Sequence, residues 1–549
     1  MDRNLAAFAL LTITAACGPS GPSTGPAPRP EPTDTVRIGP DAGAGRIERL
    51  VYQPVSPAMP PIPAVNGALA IRVIHPTQGQ ARPGVDSTFV YGSVGTGQAA
   101  LEINGVAVPV APNGAFIAYL PMPADGTWRL RAQAGGQEVS ETRSYAPRST
   151  GGASSSNTSA NAVYTTARLG TVTGGADTLA SGSDAIYARP TPTGTYRWFF
   201  PRGARLAVAE RRGEQYRVRL DDATEAWIDA TALSLAEAAS PAPAPGPVNS
   251  AVSPVADGLD LRLRAGGRPF LVETSDSGAV VTVYGATGGT MTPAAAFGGW
   301  FRSAAQRQAG SASQFALSLA GGAWGYMAWY EANGDLVVRV RKPPAIDPQN
   351  PLRGRRIVID PGHPPAGATG PTGLYEGDAN LAIALPLAEK LRAAGAEVIL
   401  TRTGREGLVS STNSSEELRA RVQLAVSRNA DLLLSVHNNA FGEGANPFRA
   451  MGTSVYYFHP FVAPLARELD REIVGVTRIR DLGALQQNLA LARPTWLPST
   501  LTESLFMPIP EQEAALRDPA FLDRLAEAHV RGIEAWLRGR AAAQAGGGN

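Results

Sequence analysis

The sequence predicts a multidomain chain. A C-terminal α/β domain, with a mixed, mainly parallel sheet and helices on both faces, is expected to follow three small all-β domains. Three observations carry this expectation. Beyond Arg355, short apolar runs alternate with longer amphipathic stretches, the pattern of strands joined by crossover helices. Ahead of that point, Asn-Gly and Asp-Gly pairs sit between short runs, the strongest local signal for hairpins. Stretches rich in Pro, Gly, Ala and Ser separate these blocks, as linkers do.

Taken in order, residues 1–17 read as a lipoprotein-type signal peptide. The apolar stretch Leu5 to Ala16 is too short to span a bilayer as a mature helix. Thr14-Ala15-Ala16-Cys17 resembles a lipobox, which makes Cys17 the expected lipidation site. Residues 18–66 form a Pro/Gly-rich linker. Residues 67–147 are expected to fold as an immunoglobulin-like sandwich, with turns at Asn104-Gly105, Asn113-Gly114 and Asp125-Gly126. After a linker over 148–165 comes a block at 166–236 that resembles SH3-like domains, with Gln215 to Leu220 and Glu225 to Asp229 as a closing strand pair. A Pro/Ala linker (237–250) leads to a third β-rich domain (251–345). The α/β domain spans 353–540, and 541–549 are expected to be a disordered tail. The α/β strands are expected at 356–360, 396–401, 431–436, 453–458 and 499–503, with helices near 378–394, 415–428, 460–475 and 519–538.

Composition removes several function classes. The formal net charge is +2, which gives no electrostatic case for nucleic acid. Cys17 is the single cysteine, so neither a disulfide framework nor a thiolate metal site can form. Only five histidines occur, and two of them close apolar runs in the same domain.

Those two carry the chemistry. His363 ends Ile357-Val358-Ile359-Asp360-Pro361-Gly362-His363, and His437 ends Asp431-Leu432-Leu433-Leu434-Ser435-Val436-His437. Both sit where a buried strand leaves the sheet, the place where α/β sheets bind ligands. Glu376 lies between them, in a glycine-flanked loop ahead of a helix. Two imidazoles and a carboxylate leave the fourth tetrahedral position of a zinc ion open for water. Glu503, closing a later run, is placed to take that water's proton. Asp360 is a candidate to orient one of the imidazoles. His75 and His529 read as structural, and His459, ahead of Pro460, as a capping or surface residue.

The order Ile-Asp-Pro-Gly-His, a glycine-flanked Glu before an Asn-Leu helix, Ser-Val-His-Asn-Asn-Ala and a strand-closing Glu resembles the zinc-dependent N-acetylmuramoyl-L-alanine amidases of the amidase_3 type. The resemblance covers about residues 353–540. It implies zinc as cofactor, with His363, Glu376 and His437 as ligands and Glu503 as the catalytic glutamate. The implied reaction is hydrolysis of the amide joining N-acetylmuramic acid to L-alanine. Thr401-Arg402 and Leu418-Arg419-Ala420-Arg421 also fit the family pattern. Pro364-Pro365, Asn438 and Ser504-Leu505-Phe506-Met507 depart from it, which bears on substrate preference more than on catalysis.

The expected partners are peptidoglycan and, through a lipid on Cys17, the periplasmic face of the outer membrane. The chain is expected to be monomeric. Two other readings stay open at this point, a zinc peptidase acting on the stem peptide and a non-catalytic envelope lipoprotein that binds peptidoglycan. Between 458 and 503 the stretch Gly475 to Ala492, whose Leu482, Leu485, Leu489 and Leu491 can pack as a second short helix or turn, leaves no long charged insertion to plug the site. An open cleft is therefore expected, with the α/β domain active without the β modules.

Overall fold

The structure is a computed structural model that describes residues 59–146, 161–176, 178–180, 186–237, 244–409 and 413–546, with two short strands at Thr35–Val36 and Ile47–Glu48. Cys17, the signal sequence and residues 547–549 lie outside the described residues. Residues from Leu50 onward belong to one compact unit.

The C-terminal domain is built from β1 (Arg356–Pro361), α1 (Glu376–Ala393), β2 (Glu397–Leu400), α2 (Ser414–Ser427), β3 (Leu432–Asn439), α3 (Pro447–Ala450), β4 (Thr453–Tyr457), α4 (Ala463–Thr477), β5 (Asp481–Gln486), β6 (Ser499–Phe506), α5 (Pro510–Ala515) and α6 (Pro519–Gly546). The six strands form one sheet in the order β2-β1-β3-β6-β4-β5. All neighbours run parallel except β4 and β6, which are antiparallel. Strand side chains alternate between faces. Ile357, Ile359, Leu434 and Val436 therefore pack on one side against Ile383 and Leu387 of α1, Leu465 of α4 and Phe521 and Leu525 of α6. Val358 and Leu433 face the other way, against Val422 and Ala425 of α2. Helices thus cover both faces, and the parallel strands β1, β3 and β6 point their carboxyl ends to one edge.

Ahead of this domain the described residues are almost all β. The first block has two antiparallel sheets, one of Arg72–His75, Ser87–Ser93 and Ala115–Pro121, the other of Val106–Val108, Ala100–Ile103, Thr127–Ala134 and Gln137–Ser144. They enclose Val90, Phe116, Trp128 and Leu130. Asn104 and Gly105 both have positive φ (50° and 78°), as a two-residue hairpin requires. The second block is a seven-stranded antiparallel sheet, and the third has five-stranded and four-stranded sheets.

The structure differs from the sequence reading in several places. The second and third blocks are not independent beads. Thr178–Leu179 pairs with Trp329 and Ala328 of the third block, and the Trp198 indole donates to the Tyr284 hydroxyl across the two blocks at 2.9 Å. Strand Ala162–Val172 begins inside the expected linker 148–165. The end of the 237–250 linker is folded in, with Val248 fully buried and Ser250 opening a strand. Met59, placed in the first linker, is buried in the core of the α/β domain. Met59 and Val248 are single apolar side chains that bury in neighbouring cores, and the Pro-rich composition around them concealed this.

Two further corrections fall in the last domain. The stretch Gly475 to Ala492 was expected as a second short helix or turn. Instead α4 stops at Arg478, whose φ of 49° is left-handed, and Gly483 has φ 89°. Neither suits a right-handed helix, and Asp481–Gln486 extends the sheet as edge strand β5. The tail is not disordered from 541. Helix α6 continues to Gly546 through an alanine-rich run of strong helix formers, with the Gln544 side chain donating to the Pro344 carbonyl at 3.0 Å.

Candidate active site and metal centre

β1, α1 and β3 bring the three expected ligands together. His363 follows β1, Glu376 is the first residue of α1, and His437 lies near the end of β3. Glu376 Oε1 is 3.1 Å from His363 Nε2 and 3.2 Å from His437 Nδ1. The three candidate ligand atoms all lie within 4.8 Å of one another. The imidazole rings meet edge to face, with centroids 4.9 Å apart. Both rings remain partly exposed, so solvent reaches the cluster from one direction at least.

The chain around this cluster is shaped to it. His363 itself has φ 62°. Gly362 lies so close to the His437 ring that a Cβ there would fall 2.1 Å from Cε1, so only glycine fits. Glu376 Oε2 accepts the Ala368 N–H at 3.0 Å, while Oε1 accepts from Asn380 Nδ2 at 3.3 Å. Asn380 also donates to the Gly362 carbonyl, and Asn438 donates to Asn380 Oδ1 at 2.9 Å. Burial raises the Glu376 carboxyl, but the two imidazoles bonded to it win and hold it well below the usual carboxylate range.

Glu503 stands beside His437 as its register partner on the parallel strand β6. Its Oε2 is buried and has no hydrogen-bond partner among the described residues. Burial, with a smaller contribution from the Glu376 charge, pushes this carboxyl well above the ordinary range. A buried carboxyl oxygen without a partner is costly unless something else pairs with it, and this one belongs to the residue in register with His437.

Asp360 does not orient an imidazole. It is fully buried and accepts from Thr401 Oγ1 and Ser435 Oγ, both at 2.6 Å, and pairs with Arg421 at 3.3 Å. Arg421 in turn donates to Glu417 and to the carbonyl of Pro364, the residue after His363. Arg402 donates to the carbonyls of Pro361, Gly362 and Gly377, tying the end of β1 to the start of α1. These buried guanidiniums hold the turn that carries His363. The sequence reading named Arg402 and Arg421 without giving them a role, and it missed Asn380, although Glu376 and Asn380 four residues apart share one helix face.

The other histidines are elsewhere. His459 neither caps a helix with its side chain nor lies at the surface: it is buried, makes no side-chain capping bond and has its Nε2 2.8 Å from the Arg493 carbonyl, while His529 is buried between Thr502 and the Leu525 carbonyl. His75 lies in the first β block, 3.3 Å from Glu443.

Against this geometry stand the likenesses to known proteins. The family model described as N-acetylmuramoyl-L-alanine amidase matches residues 357–535. The chain is 31% identical over 217 residues to the probable cell wall amidase LytH of Staphylococcus aureus, covering 39% of this chain and 67% of that protein. The chain belongs to the N-acetylmuramoyl-L-alanine amidase family. It is also 31% identical over 196 residues to the N-acetylmuramoyl-L-alanine amidase LytC of Bacillus subtilis, covering 35% of this chain but only 37% of that protein. Among solved structures, the amidase from Clostridium difficile 630 shares 30% identity, with 34% of this chain and 97% of that chain covered and a TM-score of 0.30. The catalytic domain of CwlV from Bacillus (Paenibacillus) polymyxa var. colistinus also shares 30%, covering 33% and 98%, with a TM-score of 0.30. The amidase match includes His363, Glu376, His437 and Glu503 and none of the β blocks.

Proposed function

We propose that the α/β domain hydrolyses the amide between N-acetylmuramic acid and L-alanine in peptidoglycan, with zinc held by His363, Glu376 and His437 and with Glu503 as the proton-transfer residue. One observation carries this reading, the convergence of two imidazoles and one carboxylate on a single point beside an unpaired buried carboxyl, in a chain of the amidase family. The donor set suits zinc, since nitrogen and oxygen donors in this number characterise its catalytic sites. Zinc, when bound, supplies Lewis acidity to the scissile carbonyl and to a water molecule.

The remaining work falls to the chain's own groups. Ala368 N–H occupies Glu376 Oε2, which leaves Oε1 directed at both imidazoles. Arg402 and Arg421 keep the His363 turn in place. Glu503 Oε2, without a hydrogen-bond partner among the described residues, takes the proton of the attacking water and returns it to the alanine nitrogen as the C–N bond breaks. Such transfer typically contributes ~10²–10⁴ in rate.

LytH is named as a probable cell wall amidase, and for this chain we propose an envelope location with acylation of Cys17 and tethering at the outer membrane. Among the described residues no helix is long and apolar enough to cross a membrane. Replacing Cys17 by serine is expected to shift the protein out of the membrane fraction, and unchanged fractionation would count against the anchor.

Mass spectrometry of peptidoglycan digested by the full chain tests the reaction. The expected products are glycan bearing free lactyl groups and stem peptides with an L-alanine amino terminus. Cuts confined to the stem peptide, leaving the muramyl–alanine bond intact, would favour the peptidase reading instead.

A further inference from the structure

The three-stranded sheet of the first β block has two apolar faces. Val90, Phe116, Ala118 and Leu120 point into the sandwich. Phe89, Tyr91 and Ile117 point the other way, and an isolated sandwich would leave them in water. They are instead buried, packed with Phe506 and Ile509 of the α/β domain and against Phe441. The contacts fall on all three segments that leave the candidate site. Tyr91 Oη donates to the Thr369 carbonyl at 3.1 Å, in the loop between His363 and Glu376. Tyr119 Oη donates to the Gly444 carbonyl at 3.2 Å, and Glu443 meets His75, Gln80 and Thr88, in the loop after His437. Phe506 closes the strand that carries Glu503.

The Tyr91 contact has a direct line to the metal ligands. Ala368, the neighbour of Thr369, donates its N–H to Glu376 Oε2 at 3.0 Å and accepts the Glu376 N–H on its carbonyl at 2.9 Å. The Ala368 N–H occupies one carboxylate oxygen of Glu376 and leaves the other to the imidazoles. The carbonyl of the next residue, Thr369, is fixed by a residue 278 positions away in sequence. Tyr91 is only 6% exposed, so water does not replace its hydroxyl readily.

We propose that Tyr91 of the first β block is a positioning residue of the amidase site, acting through the Thr369 carbonyl to hold Glu376 in its ligating orientation. The β block is then a working part of the catalytic centre and not solely a targeting module. This rests on the zinc reading given above. It also replaces the expectation that the α/β domain is indifferent to the β modules.

The test uses the full chain and two single variants, Tyr91→Phe and Tyr119→Phe. Each loses one hydroxyl at the same interface, but only the first bonds the loop that holds Glu376. Zinc affinity is measured by chelator competition, alongside kcat and KM on peptidoglycan and hydrogen exchange at Ala368. Outer partners of metal ligands typically matter ~10–100-fold in affinity, and Tyr91 acts one bond further out, so about three- to tenfold weaker zinc binding is expected. In Tyr91→Phe, kcat should fall with KM unchanged and exchange at Ala368 should quicken, while Tyr119→Phe keeps the parent's zinc affinity. Parental zinc affinity in a folded Tyr91→Phe protein overturns the proposal. Equal weakening in both variants overturns it too, because the effect would then belong to docking in general. Failure of the zinc reading is told apart from both, since it appears as an absence of zinc binding in the unaltered chain.

Discussion

The α/β domain is gripped at both ends of its sheet, and the two grips are made differently. At the amino ends of the strands the third β block docks through large, deeply buried groups. Trp324, 1% exposed, lies over Trp536 with ring centroids 5.0 Å apart and donates to the Asp431 carbonyl. Arg341, also buried, donates to the Ala430 carbonyl at 2.7 Å and pairs with Asp431 at 3.2 Å. At the carboxyl ends the first β block docks through tyrosine hydroxyls, a half-exposed acid and a small aromatic cluster. The first grip fixes the scaffold, where strands begin and nothing reacts. The second touches the loops that carry the ligands. Stability and turnover should therefore separate between the two interfaces.

The largest expected effect is at the amino-end grip. Trp324→Ala should cost about 3–5 kcal/mol, the usual range for removing a buried tryptophan. Urea unfolding reads this directly, and the kcat of the protein that remains folded should be unchanged. A fall in kcat at constant folded fraction would break the division of labour.

Acid should loosen the core of the α/β domain next. Burial pushes His459 and His529 down to about 4. Their folded-state values lie below the unfolded value near 6.5, so the unfolded chain binds more protons in that window. Stability is then complete above about pH 6.5 and declines as pH falls toward 4. Glu443 at the other interface is held low, chiefly by its bond to His75, so its contribution persists above its ordinary value of 4.5 and is lost only below that. Thermal midpoints between pH 7 and 4 should fall less in a His459→Gln variant that folds. An identical decline would remove His459 from the account.

Smaller effects are expected at the carboxyl-end grip. Ile117→Val trims one methyl from the small cluster and should cost about 0.5–1.5 kcal/mol, read from the denaturant midpoint. Glu443→Gln removes a partly exposed ion pair and should cost about 0–1 kcal/mol. Larger losses than at Trp324 would mean that the first block, not the third, is the main scaffold.

The site was far more legible than these interfaces. His363 and His437 could be placed because each ends a short apolar run, and a strand end is a position that sequence periodicity marks. Glu376 and Glu503 followed from their order around those runs. Asp360, a candidate to orient an imidazole, faces Thr401, Ser435 and Arg421 instead, because sequence shows that a carboxylate is near a histidine but not which way a buried side chain turns. Arg402 and Arg421 were visible as residues and silent as roles, since their bonds go to carbonyls that carry no sequence mark. Strand β5 was lost because Leu482 and Leu485 suit a helical spacing, while Gly483 and the left-handed Arg478 forbid it. The docked face of the first block did leave a trace. Phe89-Val90-Tyr91 and Phe116-Ile117-Ala118-Tyr119 are apolar on both faces, a mark of strands buried on both sides, and they lie within the block expected only as a sandwich. The linkers failed for a related reason, since a single Met59 or Val248 buried in a Pro-rich stretch has no period to detect.

The central claim is that His363, Glu376 and His437 bind zinc while Glu503 moves the proton. Zinc content and muropeptide release, measured together on the full-length Glu503→Gln variant, test it most directly. The account predicts one zinc per chain as in the parent and turnover lower by roughly 10²–10⁴, because glutamine keeps the shape of the side chain and cannot accept a proton. A variant that holds its zinc and still releases muropeptides at near the parental rate would contradict it.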